Sequence, residues 1–154
     1  MWPELKEEVE VELEMLGRHL DQFADLRREA LREPPDRVQL MALAGMLHTF
    51  YTGVENIFKR ISVHCNGGPP GGPAWHQNLL SAMTRPTSDR PAVISESLRH
   101  RLRGYLDFRH FFRQSYSFQL QWEKMEWLVE ECEETFEQLQ GELEQFLEAG
   151  EDSA

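Results

Sequence analysis

The sequence predicts an all-α protein, an up-and-down bundle of four long helices and one short helix. Hydrophobic residues recur at steps of three and four over four long stretches, which is the period of an amphipathic helix. No stretch alternates apolar and polar residues for long enough to predict a strand. The chain has 154 residues, which suits one domain with a sizeable core. We therefore expect a single helical domain over residues 1–149 and a flexible tail over residues 150–154.

The first long helix is predicted to run from near the N-terminus to about Leu31. Its outer face is acidic, and its apolar face consists of Leu5, Val9, Leu13, Leu16, Leu20 and Phe23. Pro34 and Pro35 end this helix, because a proline disfavours helical backbone in the residue before it. Asp36 comes next and is a suitable N-cap for the following helix.

The second long helix is expected to be the most buried, because its apolar residues cover more than one side. Its inner stripe consists of Leu40, Leu43, Leu47, Phe50, Val54, Phe58 and Ile61. His48 flanks this stripe and is interpreted as a hydrogen-bonded core histidine. Glycine and proline dominate residues 66–73, which predicts a loop. A short helix over residues 75–83 and a connection over residues 84–92 follow.

Two more long helices complete the predicted bundle. Ser95 is a good N-cap for the first of them, which is expected to end at residues 115–117. The last helix is predicted over residues 122–149, and its outer face is nearly all glutamate. We interpret this face as solvated, because a di-metal bundle needs inward-pointing Glu-x-x-His pairs and the chain has none.

Composition argues against a membrane-spanning or disulfide-bonded protein. The best candidate span, residues 38–51, is too short for a bilayer and is interrupted by polar residues. The N-terminus is acidic, unlike a secretory signal, so a cytoplasmic protein is expected. Cys65 and Cys132 are interpreted as reduced, structural thiols. His64, Cys65 and His76 resemble metal ligands only loosely, and no metal site is predicted.

Charge is distributed unevenly along the chain. The net charge is −11, which argues against a protein that coats nucleic acid in general. Residues 85–113 nevertheless contain seven arginines and only three acidic residues. A basic segment in an acidic chain can attract an anion to one place. We therefore expect any chemistry of this protein to lie in or next to this segment.

The end of the basic segment holds the best candidate site. Read as a helix, Arg109, Arg113 and Tyr116 lie at positions i, i+4 and i+7 and share one face. Two guanidinium groups beside a phenol suit a phosphate group, because arginine offers a fork of donors and stays charged. This pattern predicts a phosphate-binding face.

Residues 108–116 resemble the signature of the HepT-like branch of the HEPN superfamily, whose motif is Arg-x-x-x-x-His-x-Tyr. Arg109 falls on the arginine and Tyr116 on the tyrosine, while Gln114 occupies the histidine position. Further stretches that resemble this family are residues 48–61, 75–77 and 90–95. The resemblance covers about residues 40–122.

The resemblance implies a HEPN-like bundle that acts as a ribonuclease toxin of a type VII toxin–antitoxin system. Such an enzyme is a metal-independent endoribonuclease without a cofactor, active on RNA, with tRNA as one candidate substrate. Two copies form a homodimer with a composite cleft, and a nucleotidyltransferase antitoxin adenylylates the tyrosine, here Tyr116. Catalytic roles are implied for Arg109, His110, Gln114 and Tyr116, and binding of RNA phosphate for Arg103 and Arg113.

Gln114 leaves three interpretations open, because a glutamine side chain cannot carry a proton at neutral pH. His110, one turn earlier on the same side of the helix, could replace the missing histidine. Arg103 and His110 also match a looser Arg-x6-His spacing of the superfamily. Gln114 could instead orient the substrate of a slow enzyme. Alternatively, the chain is a catalytically degenerate HEPN protein that serves as a nucleotidyltransferase-binding module.

Overall fold

The computed structural model describes residues 2–153, with side chains through residue 152. Over this range the chain is 80% helical and contains no strand, which confirms the all-α prediction. The α-helices are α1 (Trp2–Gln22), α2 (Ala24–Arg32), α3 (Arg37–Asn66), α4 (Trp75–Ala82), α5 (Glu96–Gln114) and α6 (Trp122–Ser153). A short 3-10 helix, Ser117–Gln119, precedes α6. The four long helices of the prediction are α1, α3, α5 and α6, and α4 is the predicted short one.

Helix α3 lies at the centre of the bundle and contacts each of the other five α-helices. Its side chains Phe50, Tyr51 and Phe58 are fully buried, which confirms that this helix is the most enclosed. Helices α4 and α5 contact each other and both contact α3. Side chains from these three helices can therefore meet at one place, although they are far apart in sequence.

The prediction of one continuous first helix is wrong, because the helix breaks at Phe23. Phe23 has φ −106° and ψ 7°, outside the helical range. The break redirects α2 so that it packs against α6 as well as α1 and α3. Arg27 is buried there, and one guanidinium nitrogen lies 3.3 Å from the carbonyl oxygen of Leu20 while another lies 3.6 Å from a carboxylate oxygen of Glu133. No proline or glycine marks this turn, so tertiary contacts determine it.

The predicted caps of the two inner helices are confirmed. The Asp36 carboxylate accepts a hydrogen bond from the backbone N–H of Gln39, and the Gln39 side chain accepts one from Asp36 in return. The Ser95 hydroxyl accepts from the backbone N–H of Leu98. At its other end α3 stops at Gly67, which has φ 75°, a conformation that glycine adopts without strain.

The sequence predicted a flexible tail over residues 150–154, but the last helix continues past residue 149 and ends at Ser153; residue 154 lies outside the described residues. Trp2 accounts for the difference. Its indole N–H donates to the carbonyl of Leu147 over 3.1 Å, and its ring occupies the space where a side chain at Gly150 would project. Lys6 and Glu151 form an ion pair of 3.1 Å in the same region. Contacts with the first helix therefore extend the helix over residues 150–153.

Two further expectations concern the membrane and the cysteines. No helix in the described part of the chain has the length and hydropathy that a membrane span requires.

Cys65 is half-buried and Cys132 is fully buried, and both are free thiols. Burial raises the pKa of the Cys132 thiol to about 12, so this cysteine is an unreactive core residue, as predicted.

Candidate functional site

A cleft of about 140 Å³ lies between α4 and α5, beside the loop that precedes α4. Its polar lining consists of His76, Gln77, Asp107, Arg109, His110 and Arg113. Three of the predicted site residues, all from α5, therefore line a single depression. His76 joins them from α4, where the sequence predicted no site.

Arg109 forms the inner wall of the cleft and is only 4% exposed. Its Nη2 donates to both carboxylate oxygens of Glu55 over 3.0 Å, and its Nη1 donates to the Thr52 hydroxyl over 3.3 Å. The guanidinium carbon lies 5.0 Å from the centre of the Tyr51 ring, a cation–π contact. Arg109 thus has its charge compensated inside the protein, whereas the sequence predicted an arginine that faces a phosphate.

His76 shares the Glu55 carboxylate with Arg109. Its Nδ1 lies 2.7 Å from Oε2 of Glu55 and 3.0 Å from Nη2 of Arg109. Nδ1 cannot donate to one group and accept from the other at the same time. An ionised carboxylate can only accept, and Nδ1 lies only 2.7 Å from Oε2, so the consistent arrangement has Nδ1–H donating to Glu55. The imidazole also lies against the Trp75 ring, with ring centres 3.7 Å apart and the planes tilted by 30°.

His110 and Arg113 form the outer rim of the cleft, and both are exposed. The turn between them is the last of α5, so their side chains extend toward solvent. Gln114 is the final residue of α5; it is exposed and is not among the residues that line the cleft. The imidazole of His110 therefore has access to this cleft, whereas the residue in the motif's histidine position lies outside it.

Arg113 differs from the other arginines of α5 in its charge environment. Arg99 pairs with Glu96, Arg101 with Glu131 and Glu134, Arg103 with Asp107 and Arg109 with Glu55. Among the residues that the structure describes, no carboxylate forms an ion pair with Arg113. Four of the five arginines of α5 are therefore paired with carboxylates, and Arg113 is the uncompensated one among them.

Arg103, the other predicted phosphate ligand, does not line the cleft. Its Nε donates to the carboxylate of Asp107 over 2.9 Å, one helical turn away on α5. Asp107 itself lines the cleft and contributes a negative charge to it. Arg103 thus partly neutralises an acidic group at the edge of the site.

Tyr116 does not share the face of Arg109 and Arg113, and this prediction is wrong. Helix α5 ends at Gln114, and Ser115 and Tyr116 have extended backbone. The Ser115 hydroxyl donates to the carbonyl of Phe111, which satisfies part of the last turn of the helix. Because the helix ends at Gln114, two residues before Tyr116, the i+7 relation no longer applies.

The segment 115–120 instead presents Tyr116 to solvent. Its side chain is 71% exposed and stacks on Phe118, with ring centres 5.7 Å apart. The Arg37 guanidinium donates to the carbonyls of Ser117, Phe118 and Leu120 over 3.2–3.3 Å. An arginine from the start of α3 therefore holds this exposed loop in place.

His48 is a half-buried neighbour of the site. Its ring lies 5.6 Å from that of Phe112. Burial lowers the pKa of His48, and the positive charges of Arg109 and Arg113 lower it further. The side chain is thus neutral at cellular pH, and its pKa is sensitive to the charges of the two arginines.

The sequence analysis missed Glu55 and the role of His76. A signal existed for Glu55, because it is the one carboxylate that falls among the apolar positions of the most buried helix, next to Val54. A buried carboxylate needs a cation or several donors, and Arg109 fits that need. His76 was noted only within residues 75–77, one of the stretches that resemble the family, because its contact with Glu55 depends on how α4 packs against α3.

Comparison with known proteins assigns most of the chain to one family. A family model described as HepT-like protein matches residues 42–150, which includes α4, α5 and the whole cleft. Curated proteins give no significant match. Solved structures give none either.

Proposed function

Because the chain belongs to the HepT-like family, we propose that it is the toxin of a type VII toxin–antitoxin system and cleaves RNA without a metal ion. The observation that carries this proposal is the uncompensated charge of Arg113 at a cleft that also holds two imidazoles. A phosphodiester needs a cation to bind its charge and groups that transfer protons to break its bonds. Both are present on the same rim. The protein acts in the cytoplasm, where RNA is accessible.

The reaction is attack of a ribose 2′-oxygen on the adjacent phosphorus. Arg113 binds the phosphate and stabilises the negative charge that builds on it. His110 transfers a proton, because an imidazole changes its charge near neutral pH. Arg109 holds the inner wall of the cleft, and Gln114 donates a hydrogen bond to the RNA. In a homodimer Arg103 of the second copy, which lies outside the cleft, extends the surface for the RNA backbone.

The antitoxin partner is a nucleotidyltransferase that transfers AMP from ATP to Tyr116. The phenol oxygen attacks the α-phosphorus, and pyrophosphate leaves. Accessibility supports this assignment, because Tyr51 and Tyr105 are buried and Tyr116 is the exposed tyrosine. Intact mass should rise by adenylyl units on wild-type protein incubated with the partner and ATP, and stay constant for Tyr116→Phe. A Tyr116→Phe protein that gains the same mass would contradict the assignment.

The ribonuclease activity is tested with purified protein and single-stranded RNA in the presence of EDTA. We expect cleavage products that carry 2′,3′-cyclic phosphate ends. Arg113→Ala should remove most of this activity. The matched control is Arg28→Ala, an exposed arginine on α2 that pairs with Asp25 away from the cleft. If both variants cleave at the wild-type rate, the activity does not come from this cleft.

A second candidate function is a catalytically degenerate module that binds a nucleotidyltransferase and does not cleave RNA. The specific observation in its favour is Gln114, since the motif's histidine position carries no proton-transfer group. This candidate predicts that wild-type protein leaves RNA intact, that Gln114→His gains cleavage, and that the partner complex forms with both. Cleavage by the wild type would eliminate it.

A further inference from the structure

The proposed reaction also needs a general base, a residue that removes the proton of the 2′-hydroxyl. We propose that His76 is this general base and that Glu55 is the residue that positions it. The assignment rests on the proposed ribonuclease function, and it names a residue outside the Arg-x-x-x-x-His-x-Tyr motif. It follows from the contact of three helices, because α3 supplies Glu55, α4 supplies His76 and α5 supplies Arg109.

The hydrogen bond from His76 to Glu55 determines which ring nitrogen is available. Glu55 is 3% exposed and lies between the two basic side chains. Its Oε2 accepts from Nδ1–H of His76 over 2.7 Å, so the neutral imidazole carries its lone pair on Nε2. No side chain or carbonyl in the described part of the chain bonds to this Nε2. A carboxylate that orients an imidazole with Nε2 free is the arrangement that general-base histidines use.

The ring of His76 is restrained on more than one side. The Trp75 ring lies against it, with ring centres 3.7 Å apart, and the ammonium of Lys59 lies 4.9 Å from the centre of the Trp75 ring. Arg109 holds the Glu55 carboxylate from the other side through both of its oxygens. A base held in one orientation loses less entropy when the substrate arrives. The imidazole of His110, by contrast, is exposed and forms no hydrogen bond with the described residues.

His76 remains accessible from the cleft although its ring is anchored. Its side chain is 30% exposed, and it lines the cleft together with His110 and Arg113. A phosphate bound by Arg113 would therefore share the cleft with two imidazoles of different character. The anchored one has a defined lone pair, and the other is free to turn.

The step is balanced as follows. Nε2 of His76 takes the proton of the 2′-hydroxyl, and the 2′-oxygen forms a bond to phosphorus. The bond from phosphorus to the 5′-oxygen breaks, and His110 gives its proton to that oxygen. The products are a 2′,3′-cyclic phosphate and a 5′-hydroxyl, and exchange with water restores both imidazoles.

The activity test compares wild type, His76→Ala and His100→Ala on one labelled single-stranded RNA of mixed sequence. His100 is an exposed histidine of α5 outside the cleft, so His100→Ala is the control. We expect His76→Ala to lose kcat by about 10²–10⁴-fold with little change in KM. Free imidazole should restore part of the lost rate to His76→Ala. Circular dichroism of the variants verifies folding.

A second measurement does not depend on activity. Nitrogen-15 NMR of wild-type protein above pH 8 should show His76 protonated on Nδ1, whereas a free imidazole prefers Nε2–H. Glu55→Gln should move His76 toward the Nε2–H form, which a merely structural glutamate would not do. Protonation of His76 on Nε2 in the wild type would overturn the proposed orientation.

The outcomes separate this assignment from the proposed function. Wild-type protein that does not cleave RNA overturns the ribonuclease and the general base together. Wild-type cleavage that His76→Ala matches, or loss of activity that imidazole does not restore, overturns only the assignment of His76. Loss with rescue, together with an unchanged His100→Ala, supports it.

Discussion

Arg109 and Arg113 stand one turn apart on the same helix and yet belong to two different regions of the cleft. Arg109 lies in the inner region, buried and bound through Nη2 to both oxygens of Glu55. Arg113 lies in the outer region, exposed and without an ion pair to any residue that the structure describes. Residue type and helical spacing are therefore insufficient to assign a role. Burial and the neighbouring carboxylate make one arginine structural and leave the other available for a ligand.

The inner region should contribute mainly to stability. Arg109→Ala leaves the Glu55 carboxylate buried without its strongest partner, so we expect it to cost about 3–5 kcal/mol of unfolding free energy. Urea denaturation followed by circular dichroism measures this loss. Replacing both charges at once, as in Arg109→Met with Glu55→Leu, should recover much of it. An Arg109→Ala protein as stable as the wild type would contradict the division into two regions.

The outer region should contribute mainly to activity. Arg113→Ala removes the cation that we propose to bind the phosphate, and we expect RNA cleavage to fall by about 10²–10³-fold. Its unfolding free energy should stay within about 0.5 kcal/mol of the wild type, because the side chain is exposed. The two assays on one variant test the contrast directly. A large loss of stability would place Arg113 in the inner region instead.

The loop that carries Tyr116 should depend on Arg37. Arg37→Ala removes three donors to the loop carbonyls, and we expect a stability loss of about 1 kcal/mol, since those carbonyls can bond water instead. Hydrogen exchange should become faster at the amides of Gln119 and Leu120, which close the 3-10 turn. Arg32→Ala, an exposed arginine on α2, serves as the control. Unchanged exchange rates at these two amides would show that Arg37 does not hold the loop.

The smallest expected effect is a pH dependence at His48. Folding lowers the pKa of His48, so the unfolded chain binds a proton more readily, and stability should fall as the pH drops below the ordinary histidine value. His48→Gln should flatten this part of the stability curve between pH 7 and pH 5. In an NMR titration, Arg113→Ala should raise the pKa of His48 toward its ordinary value. No change in that titration would show that the charge of Arg113 does not reach the inner region.

The fold was largely predictable because its information is local. Apolar residues at helical spacing, Asp36 and Ser95 as caps, and the glycine- and proline-rich residues 66–73 each act within a few residues of themselves. The break at Phe23 was not predictable, since nothing in the local sequence disfavours helix there. The break exists because it lets α2 pack against α6, and that packing depends on the arrangement of the whole bundle.

The candidate site was predictable in position but not in detail. The sequence identified Arg109, His110 and Arg113, because a basic segment and helical spacing are visible in one stretch of chain. It extended that helical face to Tyr116, although the helix ends two residues before it. Spacing along a helix predicts a shared face only as long as the helix lasts, and its end is determined by hydrogen bonds that the spacing does not contain.

By itself, the sequence determined an all-α bundle, the resemblance to the HepT-like family and the helix that carries the arginines. Only the tertiary structure decided that Arg109 is neutralised by Glu55, that Arg113 forms no ion pair with the described residues, and that His76 joins them. The physical reason is that periodicity specifies which face of a helix is buried, not which side chain of another helix it meets. Ion pairs and oriented imidazoles depend on these contacts between side chains of different helices.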